Sequence, residues 1–221
     1  YGLVGSEMCI RDRPSFDTYS ETFIEENSEV VKALADIHES LMIQLLFEVI
    51  LASNEKMQHY SGYSPINSIV AGWQANITTF LREKLVALNW RKHDGKGGVA
   101  YIISPCKKHA IRVMSGNKYV GVKDGAVSNS TSKGSTLNND IHFPNLSFED
   151  NTKIWTLLFC KHDEVMRLEL SSPITFHKGK IAGWKKRIKL PDIKFNIPHK
   201  PTMHSNKAEV GKIPVRRKKT G

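Results

Sequence analysis

The hydrophobic period changes once along this chain, near residue 95, and that change limits the folds open to it. Between residues 20 and 53, Val30, Leu34, Ile37, Leu41, Leu45 and Val49 recur at spacings of three and four. This predicts a long helix with one apolar stripe. Glu21, Glu25, Glu26 and Glu29 crowd its start, where the helix dipole favours negative charge. A turn follows at Gln58–Gly62, and Ser64-Pro65 reads as an N-cap with proline in the first turn. A second helix to about Asn89 carries Ile66, Ile69, Trp73, Ile77, Leu81 and Leu85 on its apolar face. Neither helix can hide its stripe alone.

After the glycine-rich break His93-Asp94-Gly95-Lys96-Gly97-Gly98 the spacing shortens to two. Val99–Ser104 and Ala110–Met114 read as strands joined by the turn Pro105–Lys108. Residues 115–140, rich in Gly, Ser, Asn and Lys, read as a long loop, either a floppy insertion or a working one. Lys153–Cys160 and Glu164–Leu170 form a second hairpin, which Pro173 ends. A turn at His177–Lys180 leads to a last strand over Ile181–Ile193. Helices precede strands rather than alternating with them. The expected class is therefore α+β, with two N-terminal amphipathic helices packed on a mainly antiparallel sheet. Beyond Phe195 the chain is basic and poor in large apolar residues, and residues 196–221 read as a disordered tail.

Of the 32 Lys and Arg residues, 14 lie between Lys178 and Gly221, against two of the 22 acids, Asp192 and Glu209. That segment carries +12 and the remaining residues −2. A cationic end on a nearly neutral body points to an anionic partner for that end. Lysine and arginine neutralise phosphates and release counterions without reading sequence. Lys185, Lys186, Arg187, Arg216, Arg217, Lys218 and Lys219 are the candidate nucleic-acid contacts. Trp184, inside the same basic strand, is a candidate for stacking on a base. Thr131–Thr136 offers hydroxyls and Lys133 for phosphate, without the order of a P-loop.

Arg167 and Glu169 share one face of their strand, with Asp163 just before it. Restriction-type nucleases hold Mg²⁺ between acids on adjacent strands, with a lysine two residues after the second acid. Glu169 lacks that lysine. Asp94-Gly95-Lys96 has the Asp-x-Lys order, but in a break rather than a strand. The plainer reading is a cross-strand ion pair on a solvated sheet face, with no metal or other cofactor. The hairpin turns hold Cys106 and His109, and Cys160 and His162, at spacings that do not match a zinc knuckle. A third possibility gives the acidic start of the first helix a basic protein partner.

Too few cysteines are present for a disulfide framework, and no apolar run approaches the ~18 residues of a membrane span. The expected setting is the cytoplasm.

Residues 3–12, LVGSEMCIRD, resemble a translated transposon-type sequencing adapter. That resemblance implies an assembled environmental source, bacterial or phage. It assigns residues 1–13 to non-native sequence, and the length and pattern above leave 14–195 as one domain and 196–221 as the tail. The segment WTLLFCKHDEVMRLELSSPITFHKGKIAGWKKRIKLPDI, with SGNKYVG and SKG-x-T of the loop, resembles bacterial and phage proteins without an assigned chemistry. There a Trp-bearing strand pair precedes a closing RI-LP strand. The likeness covers residues 70–195 and implies a single α+β domain.

Overall fold

The computed structural model describes residues 21–60, 63–95, 98–132 and 152–195. Among these residues three helices cover one face of a mixed eight-stranded sheet, so the class is α+β. No helix among the described residues is long and apolar enough to cross a membrane.

The first predicted helix is three elements. Thr22–Ile24 is a strand, β1; Asn27–Ile37 is α1; Ile43–Met57 is α2. Thr22, Phe23 and Ile24 suit a pleated strand better than a helix. They pair with Lys186–Ile188 in the last long strand, a contact that a local period cannot reveal. The second departure is the break after Ile37. His38 is extended (φ −166°, ψ 139°), and its N–H still donates to Leu34 O. Ser40 Oγ accepts the Trp90 indole N–H at 2.8 Å, and Leu41 is buried. Tertiary packing thus overrides a continuous helical stripe. Of the four early glutamates only Glu29 lies in the first turn of α1.

Ile66–Val86 forms α3. Its N-cap is Pro65 rather than Ser64, without a side-chain cap bond, and Ser68 Oγ donates to Pro65 O instead. It stops short of Asn89, which adopts a left-handed conformation (φ 66°) and turns the chain into the sheet. The strands are β2 (Arg91–Asp94), β3 (Ala100–Ile103), β4 (His109–Ser115), β5 (Lys153–His162), β6 (Val165–His177), β7 (Lys180–Lys189) and β8 (Ile193–Lys194). The order is β1-β7-β6-β5-β4-β3-β2, with β8 paired to β6. Neighbours are antiparallel except at β1/β7 and β4/β5, which are parallel. A parallel joint needs a crossover, and the described part of the one between β4 and β5 begins with residues 116–132.

Pro173 does not end β6. It pairs with Trp184 between two register shifts, and the strand continues to His177. A bulge is where a strand tolerates a residue that cannot donate to the ladder. The shift between Ser172 and Pro173 leaves Lys185 as the extra residue on β7, since Ser172 pairs with Lys186 and Pro173 with Trp184. Alternation therefore flips there, and Trp184 joins the face that holds Arg187.

The main core lies between helices and sheet. Leu34, Val49, Ile77 and Leu85 meet Ile111, Leu157, Leu168 and Ile188 there. The other sheet face carries a smaller core of Met114, Val120, Val127, Leu158, Ile181 and Trp184. Residues 116–132 supply Val120 and Val127, so this half of the long loop is packed structure. Asn129, itself buried, fixes it to the β6–β7 turn: Nδ2 donates to Gly179 O, and Oδ1 accepts Ile181 N–H. Residues 133–151 and the tail from 196 onward lie outside the described residues, as does the segment 1–20.

Candidate functional site: a buried carboxylate and the cationic strand beside it

Alternation on β6 sends Met166, Leu168 and Leu170 to the helices, and Arg167, Glu169 and Ser171 to the loop-covered face. Glu169 is fully buried there. Its partner is not Arg167, which among the described residues reaches toward Lys118 O, but Arg187 of β7. Arg187 Nε donates to Glu169 Oε1 at 2.7 Å and Nη2 to Oε2 at 2.9 Å, a two-point pairing. Ser171 Oγ donates to Oε1, and Gly121 N–H donates to Oε2 at 2.9 Å. Gly121 has φ +73°, which only glycine takes without strain, and this turns its amide toward the carboxylate.

Arg187 has spent every donor. Its remaining N–H groups go to Glu21 Oε1, Lys123 O and Val122 O, and its guanidinium carbon sits 5.0 Å from the Phe23 ring centre. Burial alone would lower its pKa. Glu169 and Glu21 together outweigh that and raise it, so the guanidinium stays charged. One cation thus joins β1, β6, β7 and the turn at 121–123. The expected solvated ion pair is instead a buried one, and Arg187 is 1% exposed, with no face left for a phosphate.

The neighbouring cations differ. Lys185, pushed out by the bulge, is exposed, and Lys186 is half-buried. Among the described residues neither has a carboxylate in ion-pair range. Lys189 lies 3.7 Å from Glu25. All four early glutamates are exposed, but Glu21 and Glu25 are already turned to the chain's own cations. Trp184 is 5% exposed, and its indole N–H donates to Val127 O at 2.9 Å. It is a core residue of the loop-covered face, turned away from any stacking surface.

Asp94, Asp163 and Glu169 do not converge. Asp94 lies on β2, with β3, β4 and β5 between it and β6. It pairs with Arg82 at 2.7 Å, which holds its carboxyl below the ordinary range. Asp163 sits exposed in the β5–β6 turn, 2.9 Å from His162 Nδ1. Lys96, Lys133, Arg216, Arg217, Lys218 and Lys219 lie outside the described residues. Cys106 and Cys160 stand at opposite ends of the sheet, because β4 starts just after the first and the parallel β5 ends just after the second. Among the described residues no group of three or more His, Cys, Asp or Glu could hold a metal ion.

The Glu169–Arg187 pair was missed from sequence, although a signal for it exists. Counting outward along both strands from the Lys178-Gly179 turn brings Glu169 level with the segment Arg187–Lys189. A lone acid flanked by leucines then faces a base one hairpin away. No protein-family model matches the chain, and no curated protein or solved structure matches it either.

Proposed function

We propose that the protein is a non-enzymatic, nucleic-acid-associated binding protein of a bacterial or phage cytoplasm. In this reading it contacts phosphates through Lys185, Lys186 and the basic segment ending in Arg216, Arg217, Lys218 and Lys219. One observation carries the reading: of the cations in the +12 segment, only Arg187 and Lys189 meet a carboxylate among the described residues. Arg187 drops out of the contact set because its charge is used inside the fold. The free cysteines Cys106 and Cys160 suit a reducing compartment.

Binding of this kind falls steeply with salt, because each neutralised phosphate releases counterions. Contact with about six phosphates implies a loss of roughly 10³ in affinity between 50 and 200 mM salt. Fluorescence anisotropy with short single- and double-stranded DNA and RNA oligonucleotides, for the full chain and a chain ending at Phe195, measures this. The shortened chain is expected to lose most of the binding and most of the salt slope while keeping its circular dichroism. Lys185→Ala with Lys186→Ala is expected to flatten the slope by about two units or less. Undiminished binding by the shortened chain at every salt concentration would sink the reading.

A further inference from the structure

Two buried indoles terminate on imidazoles at one end of the sheet. Trp155 of β5 donates its Nε1–H to His109 Nδ1 at 3.1 Å. Trp90, just before β2, donates to Ser40 Oγ at 2.8 Å, and that hydroxyl lies 2.8 Å from His38 Nδ1. The Ser40 backbone N–H also donates to His38 Nδ1, at 3.2 Å. With Ser40 Oγ already accepting from the indole, its own proton points to His38. Each chain of donors therefore runs from an indole to an imidazole nitrogen. The rings pack on the indoles they serve, with centroids 6.5 Å apart for His109–Trp155 and 5.2 Å for His38–Trp90. The two sites lie at the same end of the sheet, since Arg91 pairs with Ile103, Ile103 with Ala110, and Ala110 with Ile154.

A neutral imidazole has one acceptor nitrogen and an imidazolium has none. Both rings must hold their proton on Nε2. A second proton on His109 Nδ1 would aim one N–H at another. On His38 it would oppose the Ser40 amide and reverse the hydroxyl that serves Trp90.

We propose that His38 and His109 form an acid-sensitive latch, which holds the turn between α1 and α2 against this end of the sheet while both rings are neutral and releases it when they are protonated. Among the described residues the charges acting on His109 are Lys153 of β5, His38 at the end of α1 and Lys108 of the β3–β4 turn. All are cationic when protonated, and with burial as the larger cause they hold the His109 pKa below its ordinary value. The folded chain therefore takes up this proton less readily than the unfolded chain. The stabilisation is whole above the ordinary histidine range and is lost as pH falls through the lowered folded value. His38 stands among the cations that act on His109, so a charged His38 makes charging His109 harder.

The indole Nε1–H resonances of the full chain, followed from about pH 8 to about pH 5, test the latch. Those of Trp90 and Trp155 are expected to shift as the pH falls, Trp155 at a midpoint below the ordinary histidine range, while Trp73 and Trp184 stay in place. In His38→Gln with His109→Gln, an amide oxygen still accepts but does not titrate, so both resonances are expected to keep their high-pH positions. An unchanged transition in that variant, or movement of all four indoles together, would overturn the latch. Should the variant not fold, imidazole titration of the native chain decides. Indole shifts that each follow their own histidine, Trp90 with His38 and Trp155 with His109, support the latch, and indole shifts that follow neither midpoint defeat it.

Discussion

Glu169→Ala is expected to cost the fold about 3–5 kcal/mol, most of a typical domain's stability. The loss is not the attraction of one ion pair. It is the penalty of leaving Arg187 buried with only Glu21, a half-exposed partner, to neutralise it. The same change strips the Gly121 amide and the Ser171 hydroxyl of their acceptor. Glu169→Gln keeps one acceptor oxygen and is expected to cost less, about 1.5–3 kcal/mol. Replacing both partners, Glu169→Leu with Arg187→Met, is expected to fall well short of the sum of the single losses, because no buried unpaired charge remains and Glu21 is left in solvent. Urea unfolding with an unchanged m-value measures all three. Hydrogen exchange should show residues 117–125 opening first in Glu169→Gln. A cost below about 1 kcal/mol for Glu169→Ala would mean that water reaches the carboxylate and that the pair stabilises little.

Trp184→Ala is expected to cost about 3–5 kcal/mol as well, from the cavity left among Met114, Val120, Val127 and Leu158. Trp184→Phe retains most of the packing but abandons Val127 O, for a loss of about 1–2 kcal/mol. The two mechanisms offered for this residue separate cleanly here. A core tryptophan lowers stability and leaves the salt slope of oligonucleotide binding unchanged in the folded protein. A stacking tryptophan would do the reverse, and that result would overturn the packing described above.

The α+β class was legible because period and order are local properties. Ile66–Val86, the hairpin around Pro105–Lys108 and the turn at Lys178-Gly179 all announce themselves within a few residues. What stayed hidden depends on partners far away in sequence. Thr22–Ile24 look like the start of a helix until Lys186–Ile188 are beside them, and the apolar stripe runs through Ser40 although Trp90 breaks the helix there. The short strand Arg91–Asp94 has no apolar alternation and exists because β3 pairs with it. The same limit governed the site. Glu169 drew notice as an acid on a strand, but its role depended on Arg187 across a hairpin and on Gly121 in a loop with no periodicity. Lys185 was singled out for its charge alone; the bulge that exposes it shows only in the register of β6 against β7.

Pairing β1 with β7 has a consequence for synthesis. Strand β1 leaves the ribosome long before its ladder partner among the described residues has been made, and Glu21 must wait for Arg187 over the same interval. Nascent chains halted before Lys186 would hold Glu169 without its counter-charge and the sheet without its outer edge. Translation of the native domain should therefore end in one late, cooperative closing event, seen as protease resistance gained only after β7 has emerged.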